Sequence, residues 1–502
     1  MTTFATLRAL HTVIGEAITE IEKVYQAESL DFPSLDTPYY TSLKHAPEVD
    51  RAEDLRVDHT VFAAANRIVS AAGQLSATVN KPWFSLIEGI NSTNVVACLQ
   101  FLEASNTVEI LREAGPGGLH VKEIAKKITA LRSWKTDGPP VELDSSKLSH
   151  VLRILATFHW LREVTPDVFT NNRLSSYIDS GKSFEQLRDA PGTKYDESDG
   201  VAAYCATAGD EVFKLMTNLT DWLLNDGGSK TDSAFNFTFK TPLKYYEWIE
   251  QPGNEHRLTR FGHAMHGTKQ FEIAENIIHG FPWEELPKDS VVVDIGGGIG
   301  TISLILAEAY PHLRFVVEDR APVVAIGRQA WGGKYAEIFD SGRLSYHAHD
   351  FFEPQRPFDV PGVGTVVHPD VMFIRAIAHN WPDSYVLELL KTLRAAAGPN
   401  TKLLWIDNML AYACVDNESG QEGSEALGAV RSLVPEGSPL LPNLGRASAN
   451  GYILDIQMLG RFNAKERTYR EYEALTNASG WKITRVNRAV GSLWAYTTAV
   501  PV

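Results

Sequence analysis

A histidine that ends an apolar run just before a helix is a candidate proton acceptor, and His379 holds that position in Asp370-Val371-Met372-Phe373-Ile374-Arg375-Ala376-Ile377-Ala378-His379-Asn380-Trp381-Pro382-Asp383. An unperturbed imidazole titrates near 6.5, so it can take a proton close to neutrality. A second group of residues precedes it. The apolar run Val291-Val292-Val293 passes through Asp294 and Ile295 into Gly296, Gly297, Gly298, Ile299 and Gly300, then into the helical stretch Thr301 to Ala309. Glycine there lets the backbone turn sharply and approach a ligand closely, as a nucleotide site requires. The spacing lacks the third glycine of the dinucleotide motif, and Asp294 before the loop would repel a pyrophosphate and suit a cation. A second strand, Leu313 to Asp319, ends in acid where a carboxylate can accept hydrogen bonds from both hydroxyls of a ribose, with Asp319 preferred over Glu318. A nucleoside bearing positive charge and no phosphate meets these demands, and S-adenosylmethionine, with its ammonium and sulfonium, is such a molecule.

These residues need an open α/β sheet to bring them together, since ligands bind outside the carboxyl ends of its strands. From Val291 onward short β-branched runs alternate with helical stretches, the pattern of a largely parallel sheet, while residues up to about 285 read as mostly helical. The boundary falls between Pro282 and Ser290, which divides the chain into 1–285 and 286–502. Within the first part, helices are expected over Asn94 to Ala114, Leu119 to Ile128 and Ser145 to Trp160, followed by extended segments Leu161 to Val164 and Val168 to Asn171. That order predicts a winged helix over about 90–180. Its third helix carries only Lys147 and Arg153 among Leu148, Val151, Leu152, Ile154 and Leu155, so packing or dimerisation is expected of it, not DNA reading. Leu7, Leu10, Ile14, Ile18 and Ile21 form an amphipathic first helix that needs a partner surface. A helix should start near Pro382. Asn417 to Gly437, rich in Gly, Ser and Glu, reads as an exposed insertion.

Composition removes several classes of function. With 47 basic and 62 acidic residues in 502, the net charge of −15 disfavours a nucleic-acid partner. No run of 18 uncharged apolar residues offers a membrane span. Arg8, Glu16, Glu20 and Glu22 break the N-terminal apolar stretch and no small-residue cleavage site follows it, so it is not read as a targeting signal. The cysteines Cys98, Cys205 and Cys414 are odd in number and far apart, which suggests neither a disulfide framework nor a zinc site and fits a cytoplasmic protein.

The segment Arg375 to Asp383 is closely similar to R-x-x-x-H-[DN]-W-x-D, and with the glycine loop and Lys465-Glu466-Arg467-Thr468 the chain resembles the class I plant- and fungal-type S-adenosylmethionine-dependent phenolic O-methyltransferases. The resemblance covers most of the chain, with the motifs in the family's order. It implies an α/β Rossmann-like methyltransferase domain with a mixed seven-stranded sheet, preceded by a mostly helical winged-helix dimerisation domain, and a homodimer. S-adenosylmethionine would be the donor, S-adenosylhomocysteine the product, and a small aromatic phenol the acceptor. His379 would be the general base, with Glu466 and Asp407 as its acidic partners. Gly296 and Gly297 would bracket the methionine part of the cofactor, beside Asp294 and Gly298; Asp319 would hold the ribose, Asp350 and Phe351 the adenine, and Arg375 is the family's cofactor-contacting basic position. Met265, Met458, Asn463 and Trp381 would face the acceptor. The insertion over about 412–450, with Pro439-Leu440-Leu441-Pro442, resembles basidiomycete members, whose acceptors include lignin-derived and secondary-metabolite phenols.

Several of these residues also have purely structural readings. Met265 and Met458 serve as core filler, Glu466 and Arg467 as a solvated ion pair, and Trp381 as an anchor for the following helix. His347 and His349 alternate on a strand without a carboxylate cluster, so no metal is expected. Some fungal relatives bind the cofactor yet catalyse a pericyclic rearrangement or dehydration. They tend to lose the histidine that His379 retains, which favours methyl transfer here.

Overall fold

The computed structural model describes residues 2–132, 142–225, 233–272, 274–331, 333–417, 426–430, 432–489 and 492–502. Val291–Ile295 (β1) is buried at every position, as a parallel strand must be when helices cover both faces of its sheet. It joins Arg314–Asp319 (β2), Leu344–Ala348 (β3), Val371–Arg375 (β4), Lys402–Asp407 (β5), Trp481–Arg488 (β6) and Ala495–Pro501 (β7). The seven strands lie in the order β6-β7-β5-β4-β1-β2-β3. Strand β7 pairs antiparallel with both neighbours, and the pairs from β5 through β3 are parallel, so the sheet is mixed.

Alternation along each strand sends side chains to two cores. Val293, Ile295, Met372, Ile374, Leu403 and Trp405 meet the helix Asp383–Ala396 on one face. Val292, Phe315, Val317, Phe373, Leu404 and Ile406 meet Trp283 and the helix Thr301–Ala309 on the other. The connections leave β1 toward β2 on one side and reach β4 on the other. The crevice of such a sheet opens at this reversal, between the carboxyl ends of β1 and β4. The glycine loop follows β1 and His379 follows β4.

The helical part departs from expectation in three places. The helix expected over Asn94 to Ala114 is divided into Ser92–Ala104 and Thr107–Ala114, because Asn106 takes a left-handed φ of 55°. Leu119 does not start the next helix: Leu119–His120 pairs with Val168–Phe169, and with Leu161–Thr165 these segments form a three-stranded antiparallel sheet, so that helix starts at Val121. The first helix, Thr3–Ala27, buries Leu10, Ala17, Ile21 and Tyr25, while Ile18 is exposed. Its apolar stripe is therefore rotated from the expected one by packing on the helix His59–Val79.

Part of the expected insertion is also covered. Leu440 is buried with Leu10 and Ala71, and Gln74 Nε2 donates to the Pro439 carbonyl at 2.8 Å. Residues 418–425 and 431 of the Asn417 to Gly437 stretch lie outside the described residues. Among the described residues, no helix is long and apolar enough to cross a membrane.

Candidate active site

The glycine loop is shaped by contacts that no side chain could share. Gly296 and Gly298 have φ of 70° and 60°, in the left-handed region that favours glycine. A Cβ on Gly296 would come within 2.6 Å of Ile377 Cδ1, and one on Gly297 within 2.4 Å of the Asp294 carboxyl carbon. A Cβ on Gly298 would meet nothing within 4 Å, so the loop presents open space there. Gly298 N–H donates to Asp319 Oδ2 at 2.8 Å, and Arg320 N–H donates to Asp319 Oδ1 at 2.7 Å, which holds this carboxylate at the rim. Glu318 is buried, accepts from Gln355 Nε2 at 2.6 Å and pairs with His347 Nδ1 at 3.3 Å, so it is engaged elsewhere. Phe351 lies against Gly296, its Cε1 3.5 Å from where a Cβ would stand, and Asp350 is exposed beside it, accepting from Phe352 N–H at 3.0 Å.

Asp294 stands apart from this arrangement. Its carboxyl is covered by Gly297 and accepts from Ser303 Oγ at 2.7 Å. Burial pushes its pKa up to about 7, against the Ser303 hydrogen bond and the charge of Arg375. Asp294, expected among the cofactor-binding residues, lies beneath the loop and is only 3 % exposed. Left-handed glycines, open space at Gly298 and the rim carboxylate of Asp319 fit a nucleoside cofactor.

The other side of the crevice carries His379. Ala376, at the end of β4, has a left-handed φ of 54°, a conformation that costs a non-glycine residue about 1–2 kcal/mol and redirects the chain into the short turn Ala378–Asn380. His379 is buried there, and its Nδ1–H donates to Glu466 Oε1 at 2.7 Å. The neutral ring so oriented has its lone pair on Nε2. Burial works against the charged imidazolium, but the charge and hydrogen bond of Glu466, with the charge of Asp407, outweigh it and raise the pKa above 6.5. Glu466 is held in turn by its own backbone N–H, which donates to Asp455 Oδ1 at 2.8 Å. Asp407, at the end of β5, does not hydrogen bond the ring. Its Oδ2 accepts from Trp405 Nε1 at 2.8 Å, and burial lifts its pKa to about 6, so it acts on His379 by charge alone.

The solvated ion pair envisaged for Glu466 and Arg467 does not form. Arg467 is 2 % exposed and donates to the carbonyls of Ala378 at 2.9 Å and Trp381 at 2.8 Å, and to Asp383 Oδ1 at 2.9 Å. One guanidinium therefore ties down the chain on both sides of His379.

His379 and Arg375 line a cavity of about 160 Å³ together with Met265, Met458, Tyr246 and Trp494. Met265 and Met458 are both at its wall. Asn463 and Trp381, the other residues expected to face an acceptor, are not among the described residues that line it. Asn463 closes the helix Ala449–Phe462 with a left-handed φ of 52°, its N–H bonded to the Leu459 carbonyl at 3.0 Å. Trp381 stands edge-on to Phe352 at 4.8 Å and near Tyr385 at 5.5 Å, on the Phe351 side of the crevice, with the Lys244 ammonium 5.2 Å from its ring centre.

Arg375 donates to Glu272 Oε2 at 3.0 Å and lies over the Trp494 ring at 5.4 Å, while Trp494 is edge-on to His379 at 5.8 Å. Glu272 and Trp494 escaped the sequence reading, and Arg467 entered it only as the ion-pair partner of Glu466, from its place in the chain. Among the described residues no group of three or more His, Cys, Asp or Glu could hold a metal ion.

Comparison with known proteins bears on the family and the fold. A family model of the O-methyltransferase domain matches residues 216–434. An O-methyltransferase of Armillaria gallica is 37% identical over 506 residues, covering 99% of this chain and 100% of that protein. A 4-O-methyltransferase of Phanerochaete chrysosporium is 32% identical over 486 residues, 96% of each chain. The solved structure of LepI in complex with S-adenosylmethionine superposes with a TM-score of 0.62 at 17% identity, covering 91% of this chain and 99% of that one, a likeness of fold alone. A nucleoside crevice between β1 and β4, a mixed seven-stranded sheet and full-length similarity to fungal enzymes lead to one conclusion: the chain belongs to the class I S-adenosylmethionine-dependent O-methyltransferases.

Proposed function

We propose that this enzyme methylates a phenolic hydroxyl of a small aromatic acceptor, of the lignin-derived or secondary-metabolite kind, with His379 as general base. The observation that carries this reading is the 2.7 Å bond from His379 Nδ1 to Glu466, made by a ring in the wall of an aromatic cavity beside the glycine loop. A neutral phenol, with a pKa near 10, is a weak nucleophile, and an imidazole whose other nitrogen is fixed by a carboxylate can take its proton as the oxygen attacks. Glu466 sets the tautomer and stabilises the imidazolium that forms. Bound S-adenosylmethionine supplies an electrophilic methyl group on its sulfonium. In the same reading Gly296, Gly297 and Gly298 border its methionine part, Asp319 holds the ribose, and Asp350 and Phe351 flank the adenine. Met265 and Met458 hold the acceptor ring. The test is incubation of the protein with methyl-labelled S-adenosylmethionine and a panel of phenols. Label is expected in an aryl methyl ether and absent when the reacting hydroxyl is already methylated; a protein that binds the cofactor yet labels no phenol sinks the proposal.

The functional unit in this reading is a homodimer, with 1–285 providing its interface and 286–502 the catalytic sheet. The helix Pro82–Ile90 buries none of its residues, and Trp83, Phe84, Leu86 and Ile90 are 58%, 59%, 52% and 63% exposed. A contiguous apolar face of this kind marks an interaction surface. Sedimentation at micromolar concentration should give a species of twice the 55.6 kDa chain mass. Joint Trp83→Glu and Ile90→Glu substitution should return it to the chain mass, and a wild-type protein already at 55.6 kDa overturns the dimer.

A further inference from the structure

We infer that the acceptor carries a carboxylate, and that Arg461 is the residue that recognises it. The inference rests on the phenol-methylation reading and narrows it to aromatic acids. Leu454, Gln457, Met458 and Arg461 recur at three- and four-residue steps along the helix Ala449–Phe462, so they form one stripe, and that stripe lines the cavity that His379 also faces. Arg461 is the only charged member of the stripe. Its side chain is more than nine-tenths buried, at 8 % exposure, and its Nε has no hydrogen-bond partner.

Among the described residues no carboxylate pairs with this guanidinium. What touches it is aromatic: the Tyr245 ring at 4.6 Å and the Phe462 ring at 5.8 Å. Ring faces stabilise a cation only in part, and a buried charge ordinarily has a counter-charge. No Asp or Glu is among the described residues that line the cavity. The other guanidinium in the wall, Arg375, already has Glu272 at 3.0 Å. Arg461 thus brings the cavity an unmatched positive charge with donors in a planar fork, the arrangement that takes a carboxylate through two parallel hydrogen bonds.

Two carboxylates could enter this crevice, one on the acceptor and one at the amino-acid end of the cofactor. Arg461 belongs to the acceptor's. It stands among Tyr245, Phe462 and Met458, whereas the glycine loop is bordered by Ile377, Phe351 and Asp294.

The experiment compares positional isomers of hydroxybenzoate and hydroxycinnamate with their methyl esters, in the wild-type protein and in Arg461→Gln and Arg461→Lys. The preferred acid should exceed its ester in kcat/KM by about 10- to 100-fold, the value of a charge-assisted bond. Arg461→Gln should remove that preference through KM, lowering kcat/KM for the acid about 10- to 100-fold more than for the ester, with S-adenosylhomocysteine affinity unchanged, and Arg461→Lys should keep part of it. Equal use of acid and ester by the wild-type protein overturns the inference without any variant. Equal loss of both in Arg461→Gln, or a matching loss of S-adenosylhomocysteine affinity, overturns it as well. If the wild-type protein methylates neither acids nor esters, the phenol reading itself has failed. Titration of the same acids into the S-adenosylhomocysteine-loaded protein then decides the anion site: Arg461-dependent binding upholds it, and no binding ends it.

Discussion

Replacing His379 with alanine should lower kcat by about 10²- to 10⁴-fold, the contribution of a positioned general base, with S-adenosylhomocysteine affinity nearly unchanged. The cofactor should be spared because His379 lies after β4, in the cavity wall, whereas the glycine loop follows β1 and Asp319 ends β2. A loss smaller than about tenfold contradicts the base assignment. The pH dependence gives a second check, with a definite sign. Only the neutral ring accepts a proton, and Glu466 and Asp407 hold its pKa above 6.5 against the effect of burial. Activity should therefore climb with pH through that raised value and level off above it. Glu466→Gln removes the largest influence that favours the cation, so the climb should move to lower pH while kcat falls. An unmoved profile in Glu466→Gln means that the titrating group is not His379.

Arg467→Met should destabilise the fold by about 2–4 kcal/mol and depress kcat as well. The cost arises mainly at the carbonyls of Ala378 and Trp381, which are bonded to the guanidinium at 2.9 and 2.8 Å. Each buried acceptor left bare loses about 1–3 kcal/mol. Asp383 adds less, since its side chain is 44% exposed and keeps Lys465 at 2.8 Å. Denaturant midpoints measure the stability term. A positioning role is separated from a merely structural one by the pH profile. The charge of Arg467 lowers the His379 pKa, so its removal should shift the climb in activity to higher pH, opposite to the Glu466→Gln shift. Unchanged midpoint, kcat and profile would show that the clamp has no part in catalysis.

The sequence was most legible where the physics is local. A run such as Val291 to Ile295 is apolar throughout because both of its faces are covered, and burial on both faces leaves that mark on composition. Gly296 and Gly298 are readable because a left-handed backbone restricts residue type at a single position. The strand Leu119–His120 was missed because two residues show no period, and Asn106 because a left-handed break in an amphipathic helix leaves its apolar spacing intact.

The residue types at the site, and through the resemblance their order, were thus present in the chain from the start. Their partners were not. Asp407 and Glu466 are both acidic and both near His379, yet only Glu466 reaches the ring, while Asp407 bonds Trp405. Arg467 is buried against Ala378 and Trp381, Arg375 is neutralised by Glu272, and Arg461 is left without a counter-charge among the described residues. Apart from the local Asp407–Trp405 bond, the pairings join positions far apart in the chain, and every outcome depends on which atoms are withdrawn from water. Desolvation and charge pairing belong to the packed state, so only the tertiary structure decides them.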